Sequence, residues 1–186
     1  MKKFVLRTKR LLLRPLKLSD VDTILPNAND WFQTRFLKRV EPPMSRKKDL
    51  IWIRSTWKEW KKGSGFTFAA GLATTGELVG TLSLDSVSKT HRKASVGIFF
   101  YKRYWGNGYG TEAVDRLVRF GFEKLKLNRI EYGFIAQNKR SERIFKRLGF
   151  TREGVQRGFV FKRGKFRDHV FGSILASDWK RRKKKK

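Results

Sequence analysis

The chain has 186 residues, with 45 Lys and Arg against 16 Asp and Glu, a formal net charge of +29 and a pI of about 11.1. It has no cysteine, which excludes a disulfide framework, a zinc–thiolate site and a cysteine nucleophile. No apolar run reaches the roughly 18 residues of a membrane-spanning helix, and Met1 to Arg7 lacks the long apolar stretch of a signal peptide; a soluble, cytoplasmic protein with a field favouring polyanionic partners is expected.

Residues 5–15 alternate and then run apolar, which predicts a first strand. Ser19, Asp20 and Asp22 mark a helix start. Val21, Ile24 and Leu25 would face inward, and Pro26 argues against a long regular helix. A second short helix is predicted over Trp31–Val40. After Glu41-Pro-Pro, Ser45 caps a third helix, Arg46–Lys61, with Leu50, Ile53 and Trp57 on one stripe. Three strands follow: Phe66–Leu72, Leu78–Asp85 and Ala94–Phe100. A glycine-rich loop, Tyr101–Gly110, opens onto a helix, Thr111–Leu125, whose Val114, Leu117, Val118, Gly121, Phe122 and Leu125 keep a helical period. A strand, Arg129–Ala136, leads to a helix, Asn138–Leu148, ended by Gly149.

A closing hairpin is predicted over residues 150–162 and 166–176. Its Phe159, Phe161, Phe166 and Phe171 read as core or substrate-groove residues rather than base-stacking ones. Lys180–Lys186 is an unbroken basic run that predicts a disordered tail, so residues 1–179 form one domain and 180–186 a basic appendage. The body remains strongly basic without it. The element order indicates an α/β (α+β) fold with a mixed, mostly antiparallel twisted sheet of about seven strands and about four helices.

The most informative segment is Arg103-Tyr-Trp-Gly106-Asn-Gly108-Tyr-Gly110-Thr111. Alternating glycines allow positive φ and close backbone approach, and the following helix offers unpaired N–H groups and the positive end of its dipole. Together they suit a phosphate or pyrophosphate. The Walker spacing is absent. The dinucleotide pattern passes only in its looser form, from Gly108 to Ala113, and on a strand that follows an antiparallel meander.

The pattern Arg-x-x-Gly-x-Gly-x-Gly resembles the acetyl-coenzyme A loop of the GNAT N-acetyltransferases. Arg7-x-x-Arg-Leu-Leu-Leu-Arg-Pro, Tyr104 to Ala113, Asn138-Lys-Arg-Ser141, Leu148-Gly-Phe150 and Glu153-Gly154 resemble the RimJ/RimL-like branch, the ribosomal-protein N-terminal acetyltransferases. Asp168 and Trp179 fall where the closing strand of that branch is expected. The resemblance covers residues 4 to about 179 and implies acetyl-CoA as the co-substrate. It implies that Tyr104, Trp105, Gly106, Asn107, Gly108, Tyr109, Gly110 and Thr111 cradle the pyrophosphate, with Arg103 supporting the loop or its phosphates. Ile98, Phe99 and Phe100 would pair with the pantetheine arm, an N–H among them polarising the thioester carbonyl. Asn138 and Ser141 would meet the sulfur end, although Asn138 also reads as a helix cap and Ser141 as a small packing residue.

The implied reaction is direct attack of a neutral amine on the thioester. An α-amine is roughly 10–20% neutral at pH 7, a lysine about 0.04%, so an α-amine needs less help from a base. The family's usual helpers are absent: Ser95 stands where a glutamate is common and Phe145 where a tyrosine proton donor is common. Ser141 is then the candidate donor, with Asp85 or Glu131 as base through water. His91 and His169 show no metal spacing and read as surface or strand residues.

The leading expectation is an N-acetyltransferase acting on a protein N-terminal α-amine, with ribosomal proteins as candidate acceptors. The alternatives are acetylation of a small amine or polyamine, or a coenzyme-binding module, weak in catalysis, that binds RNA or the ribosome. Basic clusters at Arg35, Lys38, Arg39, Arg46, Lys47 and Lys48, and at Lys139, Arg140, Arg143, Lys146 and Arg147, supply a surface for such contact. No membrane partner is expected, and the chain is read as either a monomer or a homodimer.

Overall fold

A computed structural model describes residues 4–183. Its elements are β1 (Leu6–Arg7), β2 (Leu11–Pro15), α1 (Val21–Asn29), α2 (Trp31–Thr34), α3 (Arg46–Lys62), β3 (Phe66–Leu72), β4 (Leu78–Ser88), β5 (Lys93–Phe100), α4 (Tyr109–Glu123), β6 (Arg129–Ile135), α5 (Lys139–Arg147), β7 (Thr151–Lys162), β8 (Lys165–Leu175) and α6 (Ala176–Lys183). The strands form one sheet in the order β1-β2-β3-β4-β5-β6-β8-β7. Every neighbouring pair is antiparallel except β5 and β6.

The sheet is sandwiched. On one face Val114, Leu117, Val118 and Phe120 of α4 and Phe145 of α5 bury against Leu13, Phe68, Leu82, Leu84 and Ile130. Val114, Leu117 and Val118 belong to the predicted stripe, as do Gly121 and Phe122, whereas buried Phe120 lies outside it and Leu125 falls beyond the end of α4. Gly121 lets the helix approach, since a Cβ there would stand 2.7 Å from Ile130 Cδ1. On the other face Val21 and Ile24 of α1 and Ile53 of α3 pack with Leu16, Ala69 and Tyr101. Ser45 Oγ accepts from Lys48 N to cap α3, and Gly63, at φ 70°, ends it.

The departures from expectation are mostly long-range. There are eight strands and six helices among the described residues, not seven and four. The strand expected over residues 5–15 turns back on itself, because Thr8 Oγ1 accepts from Leu11 N at 2.8 Å and pins a bend between β1 and β2. The helix expected over Trp31–Val40 stops at Thr34. Buried Lys162 of β7 donates to the carbonyls of Leu37 and Val40, which a continued helix would need for itself, and pairs with Glu41 at 2.7 Å. α1 runs through Pro26, held by buried Val21, Ile24 and Ala28.

Trp179 lies on α6, not on a closing strand, with its ring 5.5 Å from that of Phe122. The same helix runs through Lys183, so no break occurs at Lys180; residues 184–186 lie outside the described residues. Phe161 and Phe166 are not core: they pair with each other at 5.0 Å on the exposed end of the β7–β8 hairpin. No helix among the described residues is long and apolar enough to cross a membrane.

Gly172 of β8 faces α5, and a Cβ there would strike the Thr151 carbonyl oxygen and stand 2.7 Å from the Phe145 ring. Gly172→Ala is expected to destabilise the fold by about 3 kcal/mol, read as a lower urea midpoint.

Candidate active site

The site begins where two strands part. β5 and β6 pair in parallel from Lys93–Arg129 to Val96–Tyr132 and no further among the described residues. β5 continues to Phe100 on β4, and β6 to Ile135 on β8. The facing edges of residues 97–100 and 133–135 are left without a strand partner. Such an edge can take an extended ligand carrying amide groups. A cleft of about 980 Å³ opens beside it, and Ile98, Phe99, Asn138 and Ser141 line it together with Asp49, Asp85, Ser95, Glu131 and His169.

The glycine loop meets the end of β5. Trp105 Nε1 donates to Phe100 O at 2.6 Å. Gly106 and Gly108 adopt φ of 87° and 77°, and Gly108 forms the N-cap of α4, two residues before the expected start. The N-terminus of α4 therefore faces the loop. A clamp that local sequence signals did not reveal holds it. Glu112 accepts from Thr8 Oγ1 at 2.6 Å, Arg10 N at 2.8 Å and Arg10 Nε at 2.7 Å. Arg10 in turn donates to Asn107 O at 2.9 Å and lies over the Tyr109 ring. Burial alone would push the Glu112 carboxyl up, but these bonds outweigh it and hold the carboxyl below its ordinary range.

Arg103 turns away from the loop backbone to Glu77, 3.3 Å off. Arg140, expected on an outer helix face, instead stacks over Trp105 at 3.5 Å. Burial, then the like charges of Arg35 and Arg143, lower its pKa, and none of the three has an ion-pair partner among the described residues. Positive-φ glycines, a helix N-terminus and unneutralised guanidiniums fit a ligand that carries phosphates.

At the inner end Asn138 Oδ1 accepts from Ser141 N at 3.2 Å, so Asn138 is the cap of α5. Ser141 is buried on the inward face, one turn before Phe145. Phe145 packs against Phe150, Phe134 and Tyr132 at 5.4, 5.5 and 6.1 Å and brings no hydroxyl. The adjacent hydroxyl belongs to Tyr132, on the last paired rung of β6. It is buried and without a hydrogen bond; burial pushes the phenol up, and the neighbouring Ser141 side chain offsets only part of that. No periodicity signals Tyr132, which reads as one more core aromatic.

The two carboxylates expected as bases differ. Burial would raise Glu131, but Arg129 at 2.9 Å, Lys93 at 3.6 Å and the Ser95 hydroxyl at 3.2 Å hold it down. Asp85 meets only exposed Arg39, at 3.6 Å, and its Oδ2 lies 3.1 Å from where a Cβ on Gly97 would stand, at the parting of the strands. His169 is a strand residue but not a surface one. Burial and the charge of Lys38 lower it to about 4, so at neutral pH its Nε2 accepts from Lys38 Nζ at 3.0 Å, and Nδ1 donates to Gln156 Oε1 at 3.0 Å. No metal-binding cluster occurs among the described residues.

The Acetyltransferase (GNAT) domain model matches residues 10–151. The chain belongs to the GNAT acetyltransferase family. The probable N-acetyltransferase YjcK of Bacillus subtilis is 30% identical over 178 residues, covering 94% of this chain and 98% of the relative. The ribosomal protein uS5-alanine N-acetyltransferase of Escherichia coli is 28% identical over 120 residues, or 64% of this chain and 62% of the relative. The fold is that of the ribosomal L7/L12 α-N-protein acetyltransferase RimL solved with coenzyme A, with a TM-score of 0.86 at 16% identity over 94% of this chain and 99% of that one. RimJ/RimL-type enzymes are among the relatives and solved structures that this chain resembles. It is an acetyl-CoA-dependent N-acetyltransferase.

Glu112→Gln is expected to cost about 1 kcal/mol and to speed amide exchange at residues 105–109, read by denaturation and mass spectrometry. Because the native carboxyl is lowered, its contribution is complete above the ordinary pKa of 4.5 and is lost as pH falls through the lower native value. The variant and the wild type should therefore converge in stability in acid.

Proposed function

We propose that the protein acetylates the α-amine at a protein N-terminus, with ribosomal proteins as the favoured acceptors, by direct transfer in a ternary complex. The observation that carries this reading is the parting of β5 and β6, with a phosphate-suited loop at one end and a roomy, polar-floored cleft at the other. The cleft volume lies at the upper end of the range for small-molecule sites, which favours a chain end over a small amine. Among the described residues the histidine lining the cleft, His169, is held neutral with its lone pair accepting from Lys38, and this want of a strong base favours an α-amine over a lysine. The alanine specificity in the name of the Escherichia coli relative points the same way.

When bound, acetyl-CoA supplies an acetyl thioester whose carbonyl carbon takes the amine. The N–H groups from Tyr104 to Thr111 and the guanidinium of Arg140 hold the phosphates. The free backbone edge of Ile98, Phe99 and Phe100 aligns the pantetheine arm. Ser141 would offer its hydroxyl as a hydrogen-bond donor to the departing sulfur, whose proton would come in the end from the amine through water. Tyr132, kept protonated by burial, stands beside Ser141 with its hydroxyl unpaired, so rotation of the two hydroxyls would let the phenol donate to Ser141 Oγ and leave the serine proton to face the cleft. The amine's proton leaves toward Asp85 through water.

The assay is direct, because the chain has no cysteine and a thiol reagent reads only released coenzyme. Peptides beginning with alanine or serine should turn over at least about tenfold faster than lysine-containing peptides with blocked N-termini; equal rates refute the α-amine reading. Ser141→Ala should lower kcat about 100-fold with little change in KM for acetyl-CoA. Tyr132→Phe should lower it less and add nothing to the Ser141→Ala loss, as a double-mutant cycle would show.

A further inference from the structure

Four carboxylates line the cleft of this strongly cationic protein, beside Lys38, Arg39 and Arg129, and one of them is unlike the others. Asp85 faces Arg39, and Glu131 is held by Arg129 and Lys93. Glu59 is exposed. Asp49 sits on the inward side of α3 at 3% exposure, and its Oδ2 has no hydrogen bond. No ion pair reaches it among the described residues. The nearby charges are committed elsewhere. Asp20 is paired with Arg14 at 2.7 Å, Lys38 is bonded to His169 and Arg39 faces Asp85. Tyr101, whose phenol feels the charges of Asp20 and Asp49, has a buried hydroxyl that is also without a hydrogen bond.

An unpaired buried carboxylate is costly unless something neutralises it, and burial accordingly pushes the Asp49 carboxyl up. The surface between Asp49 and the parted strands is built for a polar visitor. Thr67, Thr81, Ser83 and Ser95 line the cleft, and the register runs from Thr67 through Ser83 to Gly97, which carries no side chain. Hydroxyl oxygens accept from the N–H groups of an ammonium. An amine acceptor arrives mostly as that cation at neutral pH.

We propose that Asp49 is the counter-ion that captures the acceptor's ammonium group in the cleft, before the group advances along the hydroxyl floor to the parted strands and loses its proton there. Asp49 is thus a binding residue for the acceptor and not the base. The proposal rests on the α-amine reading only for the choice of peptide.

The test is Asp49→Asn, which keeps shape and removes charge. With an alanine-initiated peptide and acetyl-CoA, KM for the peptide should rise about tenfold or more, with kcat within about threefold and KM for acetyl-CoA unchanged. In calorimetry the wild type should bind the free peptide more tightly than its N-acetylated form, and the variant should lose that preference. An unchanged peptide KM, or an equal weakening of both peptide forms, overturns the proposal. A second arm needs no acceptor. A carboxylate kept for a cationic ligand is relieved by neutralisation, so the ligand-free variant should melt at the same temperature as the wild type or higher. A carboxylate satisfied by an internal water or serving the fold predicts a lower melting temperature, and that result overturns the proposal. If the wild type turns over no N-terminal peptide, the α-amine reading fails and this second arm still decides the role of Asp49.

Discussion

Parallel strands β5 and β6 pair for four rungs and then diverge, and most of the molecule can be understood as what makes that divergence tolerable. An unpaired strand edge is normally a liability. Here each strand keeps a full partner on its other side, β4 for β5 and β8 for β6, so the break exposes only the facing edges. A wedge of aromatic rings fills the α5 side of the gap: Tyr132, Phe134, Phe145 and Phe150, with centroids 5.4–6.1 Å apart. On the gap's rim Gly97 and Gly133 carry no side chains to close it. The unmade rungs are what an amide-containing arm can complete, so the fold holds its binding energy in reserve as unsatisfied backbone.

The divergence also sorts charge. At the loop end burial first, and then the like charges of Arg35 and Arg143, depress the Arg140 guanidinium, and a bound anion would relieve that repulsion. At the cleft end carboxylates and hydroxyls join the lining beside Lys38, Arg39 and Arg129. In the proposed reaction the two substrates have opposite charge, one a polyphosphate and the other an ammonium, and each would find groups of the complementary sign at its own end of the site. The overall +29 hides this division. Electrostatic steering follows local potential more than net charge, so a basic protein can still admit a cationic acceptor.

Much of this was legible in the residues. Strand Phe66–Leu72 matches its predicted limits, and the helical stripe beginning at Val114 lies where its period placed it. Those signals are local, set by alternation and by caps such as Ser45. The glycine loop was recognisable because alternating glycines signal positive φ, and Gly106 and Gly108 adopt 87° and 77°. What escaped depends on contacts far apart in the chain. Lys162 unwinds residues 35–40 from more than a hundred positions away, and Glu112 ties the loop to Thr8 and Arg10. Asp49 carries no sequence signal, because nothing near it in the chain announces that it is buried and, among the described residues, without an ion pair.

Among the described residues, three buried side-chain atoms lack a hydrogen bond: Asp49 Oδ2, Tyr101 Oη and Tyr132 Oη. Buried polar groups are usually satisfied, and exceptions concentrate where function takes precedence over stability. Asp49 and Tyr132 both border the cleft, on opposite sides of the parted strands. Phe145 makes the case of Tyr132 sharper. Phenylalanine at position 145 keeps the packing with Phe150 and brings no hydroxyl, and the neighbouring hydroxyl is that of Tyr132 on the adjacent strand. A phenol kept protonated by burial cannot serve as a base, and its single proton has Ser141 beside it. In the proposed reaction its contribution would be orientation, biasing which way the serine hydroxyl points as the sulfur departs.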